Sequence, residues 1–293
     1  MATQADIEAH YDEGNDFYGL FLDKDYRVYT CAVWKTATTL EQAQIDKMQR
    51  ISRYANIETG DYVMDVGCGF GGLMRYIAKN YSNSKVHGVT LSSNQAEYIQ
   101  TNPFNNVSVD LCSWEDYKHE GKKVDAIVSV CALEHFATFE DSTLGRQRDI
   151  YRNFFDWCLN ISTDEAQIGM QTIILTRPPE NLTELQDSTF LREEVFPGSA
   201  LSTISDIQAA IDGRYEISEA KRVGLDYART LAEWKKRLEL NQSIAIEKFG
   251  QELYDHYIKY FDAAGRCFEV GYWDVFQASL RRTTSPRVLS KDK

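Results

Sequence analysis

Through the middle of the chain, short apolar and β-branched runs alternate with stretches of helical periodicity. The runs fall at 62–66, 86–90, 107–111, 126–130 and 169–176, and the helical stretches at 72–80, 94–101 and 145–159. Strands of that size separated by helices predict an α/β fold, a mostly parallel sheet with helices on both faces. Upstream, Thr39 with Gln42 three residues later has the form of a capping box. Leu40, Ala43, Met48, Ile51 and Ala55 would then line one face of the helix that follows. Residues 1–37 are rich in aromatics (Tyr11, Phe17, Tyr18, Phe21, Tyr26, Tyr29, Trp34), a segment expected to pack on a larger body. After Arg177-Pro178-Pro179 the alternation breaks. Residues 178–212, with Phe196-Pro197-Gly198, read as an irregular, partly helical excursion. A charged helix over about 228–249, another near 252–264 and closing antiparallel strands within 268–280 complete the expected elements.

With 293 residues, 43% of them hydrophobic, the chain has enough apolar material for one large core. No apolar run approaches the roughly 20 residues that span a bilayer. The first ten residues have neither a basic start nor an apolar core, so no signal peptide, no stable membrane insertion and a cytoplasmic location are expected. Acidic side chains outnumber basic ones 44 to 32, a net charge of −12. That field disfavours nucleic acid and anionic membranes and mildly favours a neutral or cationic substrate. Arg281, Arg282, Arg287, Lys291 and Lys293 are expected to form a solvated basic tail. The six cysteines form no Cys-x-x-Cys pair and the five histidines are scattered, so reduced thiols and no metal site are expected.

The clearest chemical signal is Asp65-Val66-Gly67-Cys68-Gly69-Phe70-Gly71-Gly72, directly after an apolar run and before a helix. Gly67, Gly69 and Gly72 match the spacing of a dinucleotide loop. Such a site expects an acid at the end of the second strand to hold a ribose. The stretch Lys85–Asn94 has no Asp or Glu. Asp65, in contrast, suits a cofactor with an ammonium group and no pyrophosphate, such as the methionine end of S-adenosylmethionine. A methyltransferase is therefore favoured over a nicotinamide oxidoreductase.

Further motifs lie along almost the whole chain. They are His10–Tyr18, Tyr29–Trp34, Thr39–Gln44, Gly88–Ser92 with Gln95, Trp114-Glu115, Val128–His135, Phe196–Gly198, Tyr227–Leu231 and Gly271–Gln277. Together with the glycine loop they resemble the cyclopropane-fatty-acid and mycolic-acid cyclopropane synthase family of methyltransferases. The resemblance implies a Rossmann-like class I methyltransferase fold with a seven-stranded sheet, an N-terminal helical segment and an inserted lid. One domain is expected: an N-terminal cap over 1–57, a cofactor-binding core over 58–177, a lid with substrate-pocket helices over 178–265, and final strands with the tail over 266–293.

For S-adenosylmethionine, the resemblance places Tyr29 and Thr30 on the cofactor and the backbone of Gly67 and Gly69, with Asp65, at its methionine part. Thr90, Leu91 and Gln95 fall near the ribose, and Ser113, Trp114 and Glu115 near the adenine. Family members methylate an alkene through a carbocation, and a bound bicarbonate takes the proton. The anion is held by the amide at Cys31, by Glu134, by a fifth-strand histidine and by Tyr227. Here Gln171 stands in Met170-Gln171-Thr172-Ile173 where relatives have that histidine, and Asp226 precedes Tyr227 where relatives often have another. Glutamine donates a hydrogen bond but does not titrate.

Two outcomes follow. The first keeps carbon methylation of an unsaturated lipid-like or small natural-product substrate. The second is N- or O-methylation of a small molecule, with Glu134 and His135 holding the nucleophile or taking its proton. A non-catalytic cofactor-binding module is the remaining alternative.

Overall fold

The computed structural model describes residues 14–283. Residues 10–13 of the opening motif, with Tyr11, and tail residues Arg287, Lys291 and Lys293 lie outside them. Seven strands form one sheet: β1 (Tyr62–Val66), β2 (Lys85–Thr90), β3 (Val107–Leu111), β4 (Val124–Val130), β5 (Ser162–Leu175), β6 (Tyr215–Arg222) and β7 (Trp273–Arg282). Their order is β3-β2-β1-β4-β5-β7-β6. The first five run parallel, while β7 is antiparallel to both β5 and β6. Strand order reverses between β1 and β4, and such a switch point opens a crevice at the strands' carboxyl ends.

The helices are α1 (Asn15–Tyr18), α2 (Leu40–Tyr54), α3 (Gly72–Asn80), α4 (Ser93–Thr101), α5 (Phe139–Thr143), α6 (Gln147–Ile161), α7 (Leu182–Phe190), α8 (Ile204–Ile211), α9 (Gly224–Leu240), α10 (Gln242–Phe249) and α11 (Gln251–Glu269). On one face of the sheet, Met48 and Ile51 of α2 and Ile77 of α3 bury against Val63 and Val128. On the other, Tyr151, Phe154 and Phe155 of α6 bury against Ile127, Ile168 and Leu280. Each fully buried side chain of this size contributes about 1.5–3 kcal/mol of transfer free energy. A third cluster is largely aromatic. Phe17, Tyr18 and Phe21 pack against Trp234 of α9 and Tyr257 and Phe261 of α11, so the opening aromatics do bury on a larger body.

The excursion at 178–212 is partly helical as expected, with α7, a π-helical turn at Leu191–Val195, and α8. Several expectations are corrected. The helix expected over 228–249 begins at Gly224 and breaks at Asn241 into α9 and α10. β5 starts at Ser162, directly after α6, and its polar first half hid it from a search for apolar runs. Phe268 ends inside α11, and one strand, β7, closes the described chain. Only half of the capping box forms. Thr39 accepts from the Gln42 amide, but the Gln42 side chain donates to Asp46 at 2.6 Å. Arg281 and Arg282 belong to β7 and not to a solvated tail: Arg281 pairs with Glu216, and Arg282 with Asp164 at 2.7 Å.

Candidate active site

The glycine turn sits where β1 ends, at the switch point. Gly67 has φ of +76°, and a Cβ there would come within 2.5 Å of the Ala132 Cβ. The position therefore demands glycine twice over, for conformation and for space. The Gly67 and Cys68 amides both donate to the Val89 carbonyl, at 3.0 and 3.1 Å, which ties the turn to the end of β2. There the Thr90 hydroxyl donates to Gln95 Oε1 at 2.8 Å, and Ser92 caps α4. No acid stands at that strand end.

A strap over residues 26–30 crosses the turn. The buried Asp23 carboxylate accepts the amides of Tyr26, Arg27 and Val28 at 2.8, 3.1 and 2.7 Å. From α2, Gln44 donates to the Thr30 carbonyl at 2.9 Å and Lys47 to the Thr30 hydroxyl at 2.9 Å. From α3, Gly72 lies so close that a Cβ would sit 2.5 Å from the Tyr26 carbonyl oxygen. Strap and turn enclose a cavity of about 1000 Å³, partly open to solvent.

Beyond it lies a second cavity of about 1020 Å³. Tyr29, Thr30, Cys131 and His135 line both, so the two share a wall. Tyr227, Tyr260, Trp273, Phe196 and Phe139 give the second cavity an aromatic lining. The Tyr260 hydroxyl sits in hydrogen-bonding contact with both Tyr29 and Tyr227. Among the described residues, the one carboxyl group lining this second cavity is Glu134, 4% exposed, in the short 3-10 turn Leu133–His135 after β4.

Burial sets the electrostatics. Desolvation pushes the Glu134 carboxyl up to about 7, offset in part by the Ile173 amide, which donates to Oε1 at 2.6 Å. The Thr172 hydroxyl and Cys131 thiol pull weakly the same way, yet Oε2 has no hydrogen-bond partner within ordinary distance. Burial also pushes Asp65 up to about 7 against the opposing charge of Lys47. It pulls Lys47 down to about 8 and His135 to about 4, so His135 is neutral at physiological pH.

The first cavity gathers Tyr29, Thr30, Asp65, Gly67, Gly69, Thr90, Leu91, Gln95, Ser113 and Trp114. Glu134, His135 and Tyr227 line the second. Three expected site residues lie elsewhere. Glu115 is exposed and does not line the cavity. Cys31 is fully buried, its thiol donating to the Ala32 carbonyl at 3.1 Å, and lines neither cavity. Gln171 is 1% exposed and also lines neither, because its amide is spent inside the sheet on Cys131 and Gln277.

Sequence reasoning missed Lys47 and Cys131. Lys47 carried a readable signal: it falls on the apolar stripe of α2, seven residues after Leu40 and four after Ala43. Cys131 carried none, since its importance comes from backbone geometry. It is a non-glycine residue at φ +56°, held where both cavities meet.

A pyrophosphate would meet the buried carboxyl of Asp65 here, whereas a zwitterionic amino-acid end finds Asp65 and Lys47 side by side. With the reversed last strand and the glycine turn at the switch point, this makes the protein a Rossmann-like, S-adenosylmethionine-dependent methyltransferase. More narrowly, the chain belongs to the mycolic acid cyclopropane synthetase family, whose model matches residues 1–278. It is 34% identical to cyclopropane mycolic acid synthase 3 of Mycobacterium tuberculosis over 94% of this chain and 96% of that one. Among solved structures it is similar to the cyclopropane synthase MmaA2 from the same organism, with TM-score 0.86, 30% identity, and 96% and 98% of the two chains covered. The mycolic acid cyclopropane synthase CmaA1, complexed with SAH and CTAB, matches with TM-score 0.84 at the same identity and coverage. Among the described residues, no helix is long and apolar enough to cross a membrane, and no group of acidic, histidine and cysteine side chains is placed to hold a metal.

Proposed function

We propose that this chain methylates a carbon of an unsaturated, lipid-like or small natural-product acceptor held in the second cavity. The observation that carries this reading is a buried carboxyl, Glu134, in an otherwise aromatic cavity that shares a wall with the cofactor cavity. The names of the relatives, which cyclopropanate mycolic acids, support the same acceptor class.

When bound, the sulfonium supplies an electrophilic methyl group. Asp65 and Lys47 would hold the amino-acid end, the glycine turn would let the backbone approach it closely, and Thr90 with Gln95 would take the ribose. Trp114 offers its ring to the adenine. Tyr29 and Thr30, on the shared wall, would orient the cofactor toward the second cavity. The faces of Tyr29, Tyr227, Tyr260 and Trp273 stabilise positive charge developing on the acceptor and contain no strong nucleophile to capture it. Glu134 stands by for the proton that must leave.

Of the 178–265 segment, α7 and the turn after it would act as the lid, since β6 belongs to the sheet and α8 packs into the α6 cluster. Ser188, Leu191, Arg192 and Phe196 line the second cavity from this segment, and the Arg192 guanidinium lies 4.4 Å from the Phe139 ring at its rim. Closing such a cavity excludes water that would quench the cation. Neutral His135 beside Glu134 favours one second reading, proton removal from an amine during N-methylation.

The test is a pair of measurements on the full chain. Calorimetry with S-adenosylmethionine should show saturable binding that Gly67→Val abolishes. Release of SAH should follow addition of oleoyl chains, as free acid, thioester or phosphatidylethanolamine vesicles, with the product heavier by one methylene or methyl. Turnover of small amines but of none of the oleoyl acceptors would move the reading to N-methylation.

A further inference from the structure

The family resemblance carries an expectation that these residues do not fit. It calls for a bicarbonate gripped by the Cys31 amide, Glu134, a fifth-strand side chain and Tyr227. In this chain the fifth-strand position is occupied on both sides. Gln277, opposite Gln171 in the β5–β7 register, donates from Nε2 to Gln171 Oε1 at 2.7 Å. Gln171 Nε2 donates in turn to Cys131 Sγ at 3.2 Å.

The direction of this chain of amides is fixed from its far end. Arg50 of α2 donates to Gln277 Oε1 at 2.8 Å, and a guanidinium offers donors only. Gln277 must therefore face Arg50 with its oxygen and Gln171 with its NH₂. Gln171 is left facing Cys131 with its own NH₂. The Cys131 amide also donates to the Gln171 carbonyl at 2.7 Å, which pins this left-handed residue from backbone and side chain together. One N–H of the Gln171 amide is committed to Cys131 and its oxygen to Gln277, and the side chain, buried in the sheet, lines neither cavity, so it is not presented to a ligand there.

The other grips are reduced as well. Cys31 lines neither cavity, and the Ile173 amide beside the site is already given to Glu134 Oε1. An anion would lie against the Glu134 carboxylate, and among the described residues the cation lining the second cavity is Arg192. Lys47 faces Thr30 and Asp65 in the neighbouring cavity, and Arg192 belongs to the lid. Two like charges in a desolvated site repel strongly, and one carboxylate there already holds its proton more tightly than usual.

We propose that Glu134 is itself the proton acceptor in this chain, through Oε2, and that no bicarbonate is bound. The inference rests on the carbon-methylation reading above. After methyl transfer, a C–H bond of the transferred methyl group breaks and its electron pair closes the C–C bond of a three-membered ring onto the cationic carbon, or a C–H bond on the carbon adjacent to the cation breaks and its pair forms a C=C bond. The proton passes to Glu134 Oε2, and the carboxylic acid returns it to water once product has left. Proton and charge balance without a further reactant.

Two experiments on the full chain decide it. Carbon-13 NMR of labelled bicarbonate, titrated with protein saturated with SAH, should show no saturable binding; a bound signal with millimolar or tighter affinity overturns the proposal. Turnover of oleoyl chains in phosphatidylethanolamine vesicles, in buffer freed of carbon dioxide, should stay within about twofold of turnover with added bicarbonate. Glu134→Gln should lose at least about 100-fold in kcat while keeping cofactor affinity. A tenfold rescue by bicarbonate, or a Glu134→Gln variant near wild-type rate, overturns it. If the wild type binds no S-adenosylmethionine, the methyltransferase assignment fails, which is a different result from either of these.

Discussion

Glu134 illustrates how burial alone prepares a side chain for chemistry. A carboxyl near 4.5 is a weak base at physiological pH; held near 7, it is half ionised there and binds a proton firmly enough to remove one in a transition state. The groups that face it are the Ile173 amide, the Thr172 hydroxyl, the Cys131 thiol and, at longer range, the Tyr151 hydroxyl. None of them titrates between 5 and 8, because burial pushes both the thiol and the phenol upward. His135 is out of range on the acid side. The base form exists above the folded pKa, so kcat at saturating cofactor should rise with pH through about 7 and level off above it. In the Glu134→Gln variant the residual rate should show no step in that window. A wild-type kcat that stays flat from pH 5.5 to 8.5 would separate Glu134 from the proton transfer. The loss of about 100-fold in that variant corresponds to about 2.7 kcal/mol of barrier.

At the scale of elements, α2 contributes more to the site than its position on the sheet suggests. Met48 and Ile51 of its stripe dock it on the sheet, Leu40 and Ala43 pack into the aromatic cluster, and Gln44 and Lys47, both buried, hold the strap. Replacing Lys47 by Met keeps the length and apolar stem but removes the hydrogen bond to Thr30 and the charge beside Asp65. We expect cofactor affinity to fall about tenfold and kcat at saturation to change less than threefold, measured by calorimetry and initial rates. An equal loss in kcat with unchanged affinity would place Lys47 in the chemistry and not in binding. The same helix shows what was legible in the sequence. Its apolar period and its Thr39 cap were readable because burial of one face and a local hydrogen bond are local matters. β1, β3 and α3 were readable for the same reason, down to their end residues. β6 was not, because an edge strand with one half-buried face and charged outward positions carries little alternation. The commitment of Gln171 was hidden too, since its partners Gln277 and Arg50 come from β7 and α2, far away in the sequence.

For the whole molecule, the two cavities bring stability and function into opposition. Two carboxyls, Asp65 and Glu134, are buried with raised pKa values and only one nearby lysine. A group whose folded pKa is raised binds its proton more tightly when folded. Its contribution to stability is complete below the unfolded value and is lost as pH rises through the folded one. For Asp65 and Glu134 that window runs from about 4 to about 7. Lys47 has the opposite sign but acts between about 8 and 10.5, outside that window. Asp141 and Glu184, lowered to about 2, act only in strong acid. His135, lowered to about 4, opposes the two carboxyls below about 6.5, so the comparison starts there: the unliganded protein should melt at a lower temperature at pH 8 than at pH 6.5. The rising net negative charge of the whole chain adds to that trend, so the local part must be isolated. Asp65→Asn removes one buried titration while leaving the surface alone, and should flatten the slope of Tm against pH. The cofactor's ammonium group, placed beside Asp65, should relieve the same penalty. SAH at 100 times its dissociation constant stabilises by about 2.7 kcal/mol through mass action. On top of that, its dissociation constant should tighten from pH 6 to pH 8 in the wild type and stay constant in Asp65→Asn. If both proteins show the same pH dependence of SAH binding, Asp65 does not face the amino-acid end of the cofactor, and the orientation assigned to it in the first cavity is wrong.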